Sequence, residues 1–223
     1  GNDDLLIEAA INVRNPKSNV NASTLINKGK LTPCKIRFVE QEAATDWLGS
    51  YEATYNANIV NNKSRNEKIM KIIDKSIKND DGSILVLFGR IDHGMILKEM
   101  IENRFGSEDV EVEYKGKTYH LHTVELISGD TDMEMRGAIL EAARQEKVKI
   151  LLGSTIADEG LDVPALKVLI LTASGKSSTR AFQRVGRVLR LYEGRNIAYV
   201  YDFMDMNTTF YKHFLYRKAL YST

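Results

Sequence analysis

From about residue 31 onward, short apolar runs rich in β-branched residues alternate with longer amphipathic stretches. The runs fall at 35–39, 84–88, 123–127, 149–152, 168–172 and 197–201. Short, nearly continuous apolar runs are what strands buried on both faces require, so a parallel sheet covered by helices is predicted. Between them the period lengthens. Ser64-Arg65-Asn66-Glu67 reads as a capping box opening a helix with Ile69, Ile72, Ile73 and Ile77 on one side. Thr131-Asp132-Met133-Glu134 reads as a second box, leading into a helix that runs to about Lys147. Further helices are predicted over 92–103 and 178–191, and Tyr114-Lys115-Gly116-Lys117-Thr118 reads as a hairpin turn inserted before the strand at 123. The expectation is an α/β fold in three layers, with a parallel sheet between helices. Residues 31–223 form the domain and residues 1–30 an entry or linker segment. The polar opening and the lack of methionine before Met70 suggest a piece of a longer chain.

Composition narrows the class without naming a chemistry. The chain has 223 residues, 43% hydrophobic and 27% charged, with a formal net charge of +1, so no global basic field points to nucleic acid. The charge is uneven, however: between 176 and 195, Lys176, Arg180, Arg184, Arg187, Arg190 and Arg195 face a single acid, Glu193. Cys34 is the sole cysteine, which excludes an internal disulfide. His93, His120, His122 and His213 do not group with carboxylates as a ligand set, and no metal site is expected. No signal-like segment or apolar run near 20 residues is present, so an intracellular setting without membrane contact is expected.

The basic segment carries the strongest chemical signal. On a helix, Ala181, Phe182, Val185, Val188 and Leu189 fill one arc, while Gln183, Arg187 and Arg190 cluster on the other beside Arg180 and Arg184. Several guanidinium groups aimed one way suit a phosphate, whose geometry their planar forks match. A solvated basic helix face is the plainer reading of the same spacing.

Three phosphate or metal signals fail on inspection. Ser174-Gly175-Lys176-Ser177 lacks the first glycine of a P-loop, since Ile170 stands there, and Gly116-Lys117-Thr118 has Glu111 at that position. Asp158-Glu159 is followed by Leu161, where a magnesium-holding acidic motif would place Asp or His. The segment from Ile150 to Pro164 is more informative: a strand ends in Ser154 and Thr155, and a turn leads to Gly160 and Asp162. Hydroxyls and free amides at a strand's carboxyl end can hold a phosphodiester oxygen. Ser154 as an ordinary helix N-cap is the alternative.

Taken in order, these segments resemble superfamily 2 helicases. Gln183-Arg184-Val185-Gly186-Arg187-Val188-Leu189-Arg190 resembles motif VI, the segment from Ile150 to Pro164 motif V, and Ile84-Leu85-Val86-Leu87-Phe88-Gly89-Arg90 motif IV. Ser128-Gly129-Asp130 followed by Arg136 fits the family's next strand end, and the stretch from Leu25 to Pro33 resembles the entry sequence of the phage UvsW and XPB-like DExH branch. The resemblance implies the second RecA-like domain of an ATP-dependent helicase or translocase, with motifs I to III on a preceding domain. It implies that Arg187 and Arg190 contact the γ-phosphate, that Gln183 orients it, and that Asp162 and Gly160 approach the nucleotide. Ser154, Thr155 and Arg90 would hold the nucleic-acid backbone, while Arg136 and Arg184 would make structural ion pairs. The implied cofactors are ATP and Mg²⁺ in the two-domain parent, none bound tightly by this chain alone. The implied partners are single-stranded or branched DNA, with RNA as the other polymer, and the first RecA-like domain. A non-catalytic α/β nucleic-acid-binding module using the patch 176–195 is the rival reading.

Overall fold

In the computed structural model the described residues are 7–8, 34–154, 166–173 and 198–221. Nine strands and five helices are introduced below from these residues. Strands β1 (Ile7–Glu8), β2 (Cys34–Gln41), β3 (Ser83–Phe88), β6 (Val124–Ile127), β7 (Ile150–Ser154), β8 (Leu166–Leu171) and β9 (Ala198–Asp205) form one sheet in the order β1-β2-β9-β8-β3-β7-β6. From β2 to β6 every neighbouring pair is parallel, and β1 alone runs antiparallel, pairing Ile7 with Ile36. All six expected strands are present, with edges shifted by a few residues.

The central strand shows why the sheet is two-sided. Every residue of β3 is buried. Successive side chains point to opposite faces, so Ile84, Val86 and Phe88 enter one core and Leu85 and Leu87 the other. The first core is closed by α2 (Lys63–Lys78) and α3 (Ile91–Phe105), through Ile69, Ile73, Leu97 and Ile101. The second is closed by α4 (Met133–Arg144), through Ala138, Ile139 and Ala142, with the hairpin β4 (Asp109–Tyr114) and β5 (Lys117–His122) beside it. Gly94 lets α3 approach the sheet: a Cβ there would lie 2.6 Å from Phe88 Cζ. The hairpin turns on Lys115 and Gly116, both with positive φ (48° and 73°), the two-residue geometry that matches strand twist.

Helix starts differ in detail from the expectation. Asn62, not Ser64, caps α2, its side chain accepting from the Arg65 amide at 3.1 Å. Asn caps as well as Ser, and the earlier start makes Arg65 an interior residue of the helix. Asp132, not Thr131, caps α4, accepting from Glu134 and Met135 amides at 2.9 and 3.2 Å, and these bonds hold its carboxyl below the usual range. Thr131 instead accepts from the Ser128 amide at 2.9 Å. Ile77 is 48% exposed rather than core, because the last turn of α2 overhangs a cleft at the amino-terminal edge of the sheet.

Two elements have no counterpart in the sequence reading. Short α1 (Tyr51–Tyr55), capped by Ser50, runs on into a wider π-type turn over Asn56–Val60. Helix α5 (Thr208–Tyr221) sets Phe210 edge-on against Tyr55 at 5.9 Å and Phe214 edge-on against Phe38 at 5.1 Å. Among the described residues no helix is long and apolar enough to cross a membrane.

Candidate nucleotide and nucleic-acid edge

Because β2, β9, β8, β3, β7 and β6 are parallel, their carboxyl ends share one edge. Ligands of open α/β sheets bind outside that edge, where loops and helix starts converge. Ser154 ends β7 in register with Phe88, and Arg90 follows Phe88 by two residues. The fold therefore brings two of the three expected backbone-gripping residues, Ser154 and Arg90, to the same edge. Ser154 is buried, 8% exposed.

Arg90 occupies the N-cap position of α3 but does not cap it with its side chain. Its guanidinium lies 5.0 Å from the Tyr55 ring centroid, donates to Asn56 Oδ1 at 3.1 Å and pairs with Glu52 at 3.2 Å. Glu52 is 74% exposed at its side chain and Arg90 30%. An ion pair so wet contributes little, so it can be exchanged for a phosphate at small cost. The Tyr51 hydroxyl nearby is pushed up in pKa by burial, with Arg90 opposing.

Behind this rim lies a buried polar cluster that the sequence reading did not anticipate. Arg65 is fully buried, with its guanidinium 4.3 Å from the Phe203 ring centroid. Its Nε and Nη2 donate to the Thr172 carbonyl at 3.2 and 2.7 Å, and its Nη1 pairs with Asp205 Oδ1. Thr172 in turn donates its amide and hydroxyl to the Leu87 carbonyl, at 3.0 and 2.8 Å. Asn66 Oδ1 accepts from His93 Nε2 at 3.0 Å, and its Nδ2 donates to the Val60 carbonyl at 3.0 Å. Burial, with Arg65 adding repulsion, lowers the His93 pKa to about 3, so the ring is neutral and Asn66 Oδ1 accepts from Nε2–H. A signal was available: Arg65 stands one helical turn before Ile69, on the apolar side of α2, where an arginine must find buried acceptors.

Arg136 donates to the Ser128 carbonyl at 2.9 Å, where an ion pair was expected. Its position in the first turn of α4 faces it back to the strand end, within reach of that carbonyl. Phe88 is core. His120 and His122 lie on the hairpin with Glu111 and Asp109 opposite at 3.3 and 3.4 Å, all exposed, and no described group of three ligand-type side chains could hold a metal. The remaining expected site residues, Thr155, Gly160, Asp162, Gln183, Arg187 and Arg190, lie outside the described residues, as do Arg184, the Asp158-Glu159 pair and the helix over 178–191. A cleft of about 330 Å³ lies at the opposite edge between Gly82, Phe105, Val124 and Lys149. It is remote from every one of the expected site residues described.

A parallel sheet sandwiched by helices, with polar side chains gathered at its carboxyl edge, has the architecture of a RecA-like domain. The family model for the helicase conserved C-terminal domain matches residues 64–192, more than half of the chain, and the chain belongs to that family. It is similar to the ATP-dependent DNA helicase uvsW of Enterobacteria phage T4, with 27% identity over 83% of this chain and 35% of that protein. It is also similar to putative helicase 22 of Sulfolobus islandicus filamentous virus, with 36% identity over 39% of this chain and 15% of that protein. The chain thus spans about a third or less of the length of these relatives. The crystal structure of T4 UvsW superposes with a TM-score of 0.60 at 23% identity, covering 84% of this chain and 39% of that one, a likeness of fold.

Proposed function

We propose that this chain is the second motor domain of an ATP-dependent helicase or translocase. In this reading a preceding RecA-like domain supplies the P-loop and the Mg²⁺ site, and ATP binds in the cleft between the two. The carrying observation is the family match over 64–192, because every residue given a role here falls inside it. The residues present fit one side of a nucleotide only. The sequence has no P-loop, and no described cluster of acids suits Mg²⁺. The guanidinium forks of Arg187 and Arg190 suit the triphosphate end.

Arg187 and Arg190 neutralise charge developing on the transferred phosphoryl group, a contribution of ~10³-fold or more in rate for an arginine finger. Gln183 orients the phosphate end, Asp162 bonds to the ribose, and Gly160 admits the backbone close to the nucleotide. Ser154, Thr155 and Arg90 grip the backbone of the track, so sequence preference is low and salt sensitivity high. Closure over each hydrolysis cycle moves this grip relative to the first domain. DNA is favoured as the track by the UvsW-like entry sequence from Leu25 to Pro33 and by the relative named as a DNA helicase. An intracellular setting follows from the substrate.

The test is ATP hydrolysis by this chain and by the chain joined to its first domain, with and without single-stranded DNA, duplex DNA and RNA. Stimulated hydrolysis by the two-domain chain alone supports the reading. Salt-sensitive binding with no hydrolysis in either supports a binding module that uses 176–195. Turnover by this chain alone contradicts the domain assignment.

A further inference from the structure

Trp47 is the only tryptophan of the chain, and it is 55% exposed. The backbone that carries it is tied down. The Ala44 and Thr45 amides donate to Asn58 Oδ1 at 2.8 and 3.2 Å, and the Leu48 amide donates to Thr54 Oγ1 at 3.0 Å. Asn207 Nδ2 donates to the Thr45 carbonyl at 3.1 Å. Thr54, Asn58 and Asn207 are all buried, so the chain is fixed on both sides of Trp47 while the indole stays in water. Tyr51, the first residue of α1, is 42% exposed. Its ring leans on Tyr55 at 5.9 Å and meets Phe210 edge-on at 5.8 Å, so it is buttressed from behind.

These aromatics belong to the carboxyl edge of the sheet. They follow the end of β2, and Asn207, which holds Thr45, lies just past the end of β9. Arg90 is joined to them: its guanidinium lies over Tyr55 and bonds to Glu52 and Asn56 on the same short helical stretch. On its other side Ile91 and Met95, one turn apart on α3, are exposed as well. An arginine with an exchangeable partner is thus bordered by aromatic and apolar side chains left in water, an arrangement that marks a binding surface. The charges nearby define what fits. Glu42, Asp46 and Glu52 are exposed around the aromatics and repel further phosphates there. An uncharged flat ring suits the aromatics, provided that its one attached phosphate falls to Arg90.

We propose that Trp47 and Tyr51 form a stacking platform for unpaired bases of the strand whose backbone Arg90 grips. The platform rests on the reading of Arg90 as a contact to the track. Every base presents a π-face, so stacking is tolerant of sequence and adds affinity without reading it. Bases within a duplex are already stacked on one another and paired. The platform therefore favours a single strand over a duplex, a choice that contacts to phosphates alone do not make.

The experiment measures binding by the chain that carries both domains, across a salt series, to labelled DNA probes of equal length. The probes are a single strand, a duplex, and an abasic strand that keeps the phosphates but has no bases. Trp47→Ala, Tyr51→Leu, Tyr51→Phe and Arg90→Ala are compared with wild type, with Tm as the check on folding. Tyr51→Leu keeps an apolar contact with Phe210, and Trp47→Ala remains testable if that variant does not fold. Trp47→Ala and Tyr51→Leu should each weaken single-strand binding roughly fivefold or more. Abasic-strand binding and the salt slope should not change in either, and Tyr51→Phe, which keeps the ring, should bind as wild type. Arg90→Ala should weaken the single strand and the abasic strand alike and lower the slope. Wild-type single-strand affinity in the folded Trp47→Ala and Tyr51→Leu variants overturns the inference, as does an equal loss on the abasic strand. If Arg90→Ala leaves abasic binding intact, the grip reading falls and the platform with it. If Arg90→Ala weakens the abasic strand while both aromatic variants bind the single strand as wild type does, only the platform falls.

Discussion

Strand β9 carries two buried aspartates, and each is met by an arginine from a helix, but the two pairs are built differently. Arg217 of α5 gives Asp202 a full fork: Nε lies 3.2 and 2.9 Å from the two carboxylate oxygens, and Nη2 3.0 Å from Oδ1. Nη2 also reaches the Phe203 carbonyl at 3.0 Å. Arg65 of α2 gives Asp205 a single contact and spends its other donors on Thr172. Asp205 Oδ2 is left buried without a hydrogen-bond partner. Burial pushes the Asp205 carboxyl up in pKa, against the attraction of Arg65 and Arg217. The first pair engages both carboxylate oxygens of its acid and ties a helix to the sheet. The second leaves its acid short in order to hold the chain where β8 ends. A buried charge pair is weak evidence for stability, so the difference between the two is better read as a difference of purpose.

The largest expected effect is on the satisfied pair. Arg217→Met leaves Asp202 buried beside no cation from α5 and should cost ~3–5 kcal/mol in urea unfolding. Replacing both, with Arg217→Met and Asp202→Leu, should recover most of that loss. If the double variant is as unstable as the single one, the fork is doing more than neutralising its partner.

Next comes acid sensitivity around Arg65. His93, held neutral with a pKa of about 3 against an ordinary 6.5, binds fewer protons folded than unfolded between those values. Its stability contribution is therefore complete above pH 6.5 and is lost as pH falls towards 3, by about 2 kcal/mol at pH 5. Asp205 runs the other way: its raised pKa gives a contribution present below 3.8 and lost as pH rises through the folded value. Comparing wild type with His93→Gln isolates the histidine, because Asp205 is common to both. Parallel stability–pH curves would show that His93 does not titrate on unfolding.

Gly94→Ala tests the packing that sets α3 beside the strand ends. Its Cβ would meet the Phe88 ring at 2.6 Å, and the overpacking should cost ~1–3 kcal/mol. A neutral result would mean that α3 slides freely on β3. The smallest stability effect is expected at the exposed rim. Arg90→Ala should change the unfolding free energy by less than about 1 kcal/mol. In the two-domain chain it should weaken nucleic-acid binding and reduce the salt slope by ~1. An unchanged slope would remove Arg90 from the track.

Much of the sheet was legible because burial on both faces leaves unbroken apolar runs, as at Ile84–Leu87 and 150–152. The hairpin was legible from Lys115-Gly116, whose positive φ values suit a tight turn. Strand β9 runs on past 201 because Asp202 and Asp205 are neutralised by side chains distant in sequence, which no local pattern reveals. The α1 turn region escaped because its polar residues are structural: Asn58 Oδ1 accepts from the Ala44 amide at 2.8 Å and its Nδ2 donates to the Thr54 carbonyl at 3.0 Å. At the site, the strand-end placement of Ser154 and Arg90 followed from the sheet. Arg65 did not, since its partners lie 107 and 140 residues away in sequence.

The most direct test of the central claim is Arg190→Ala in the chain that carries both motor domains, with ATP binding and nucleic-acid-stimulated hydrolysis measured side by side. The account predicts near-normal ATP affinity with hydrolysis lost, on the order of 10³-fold. Equal loss of binding and hydrolysis, or hydrolysis retained, would contradict it.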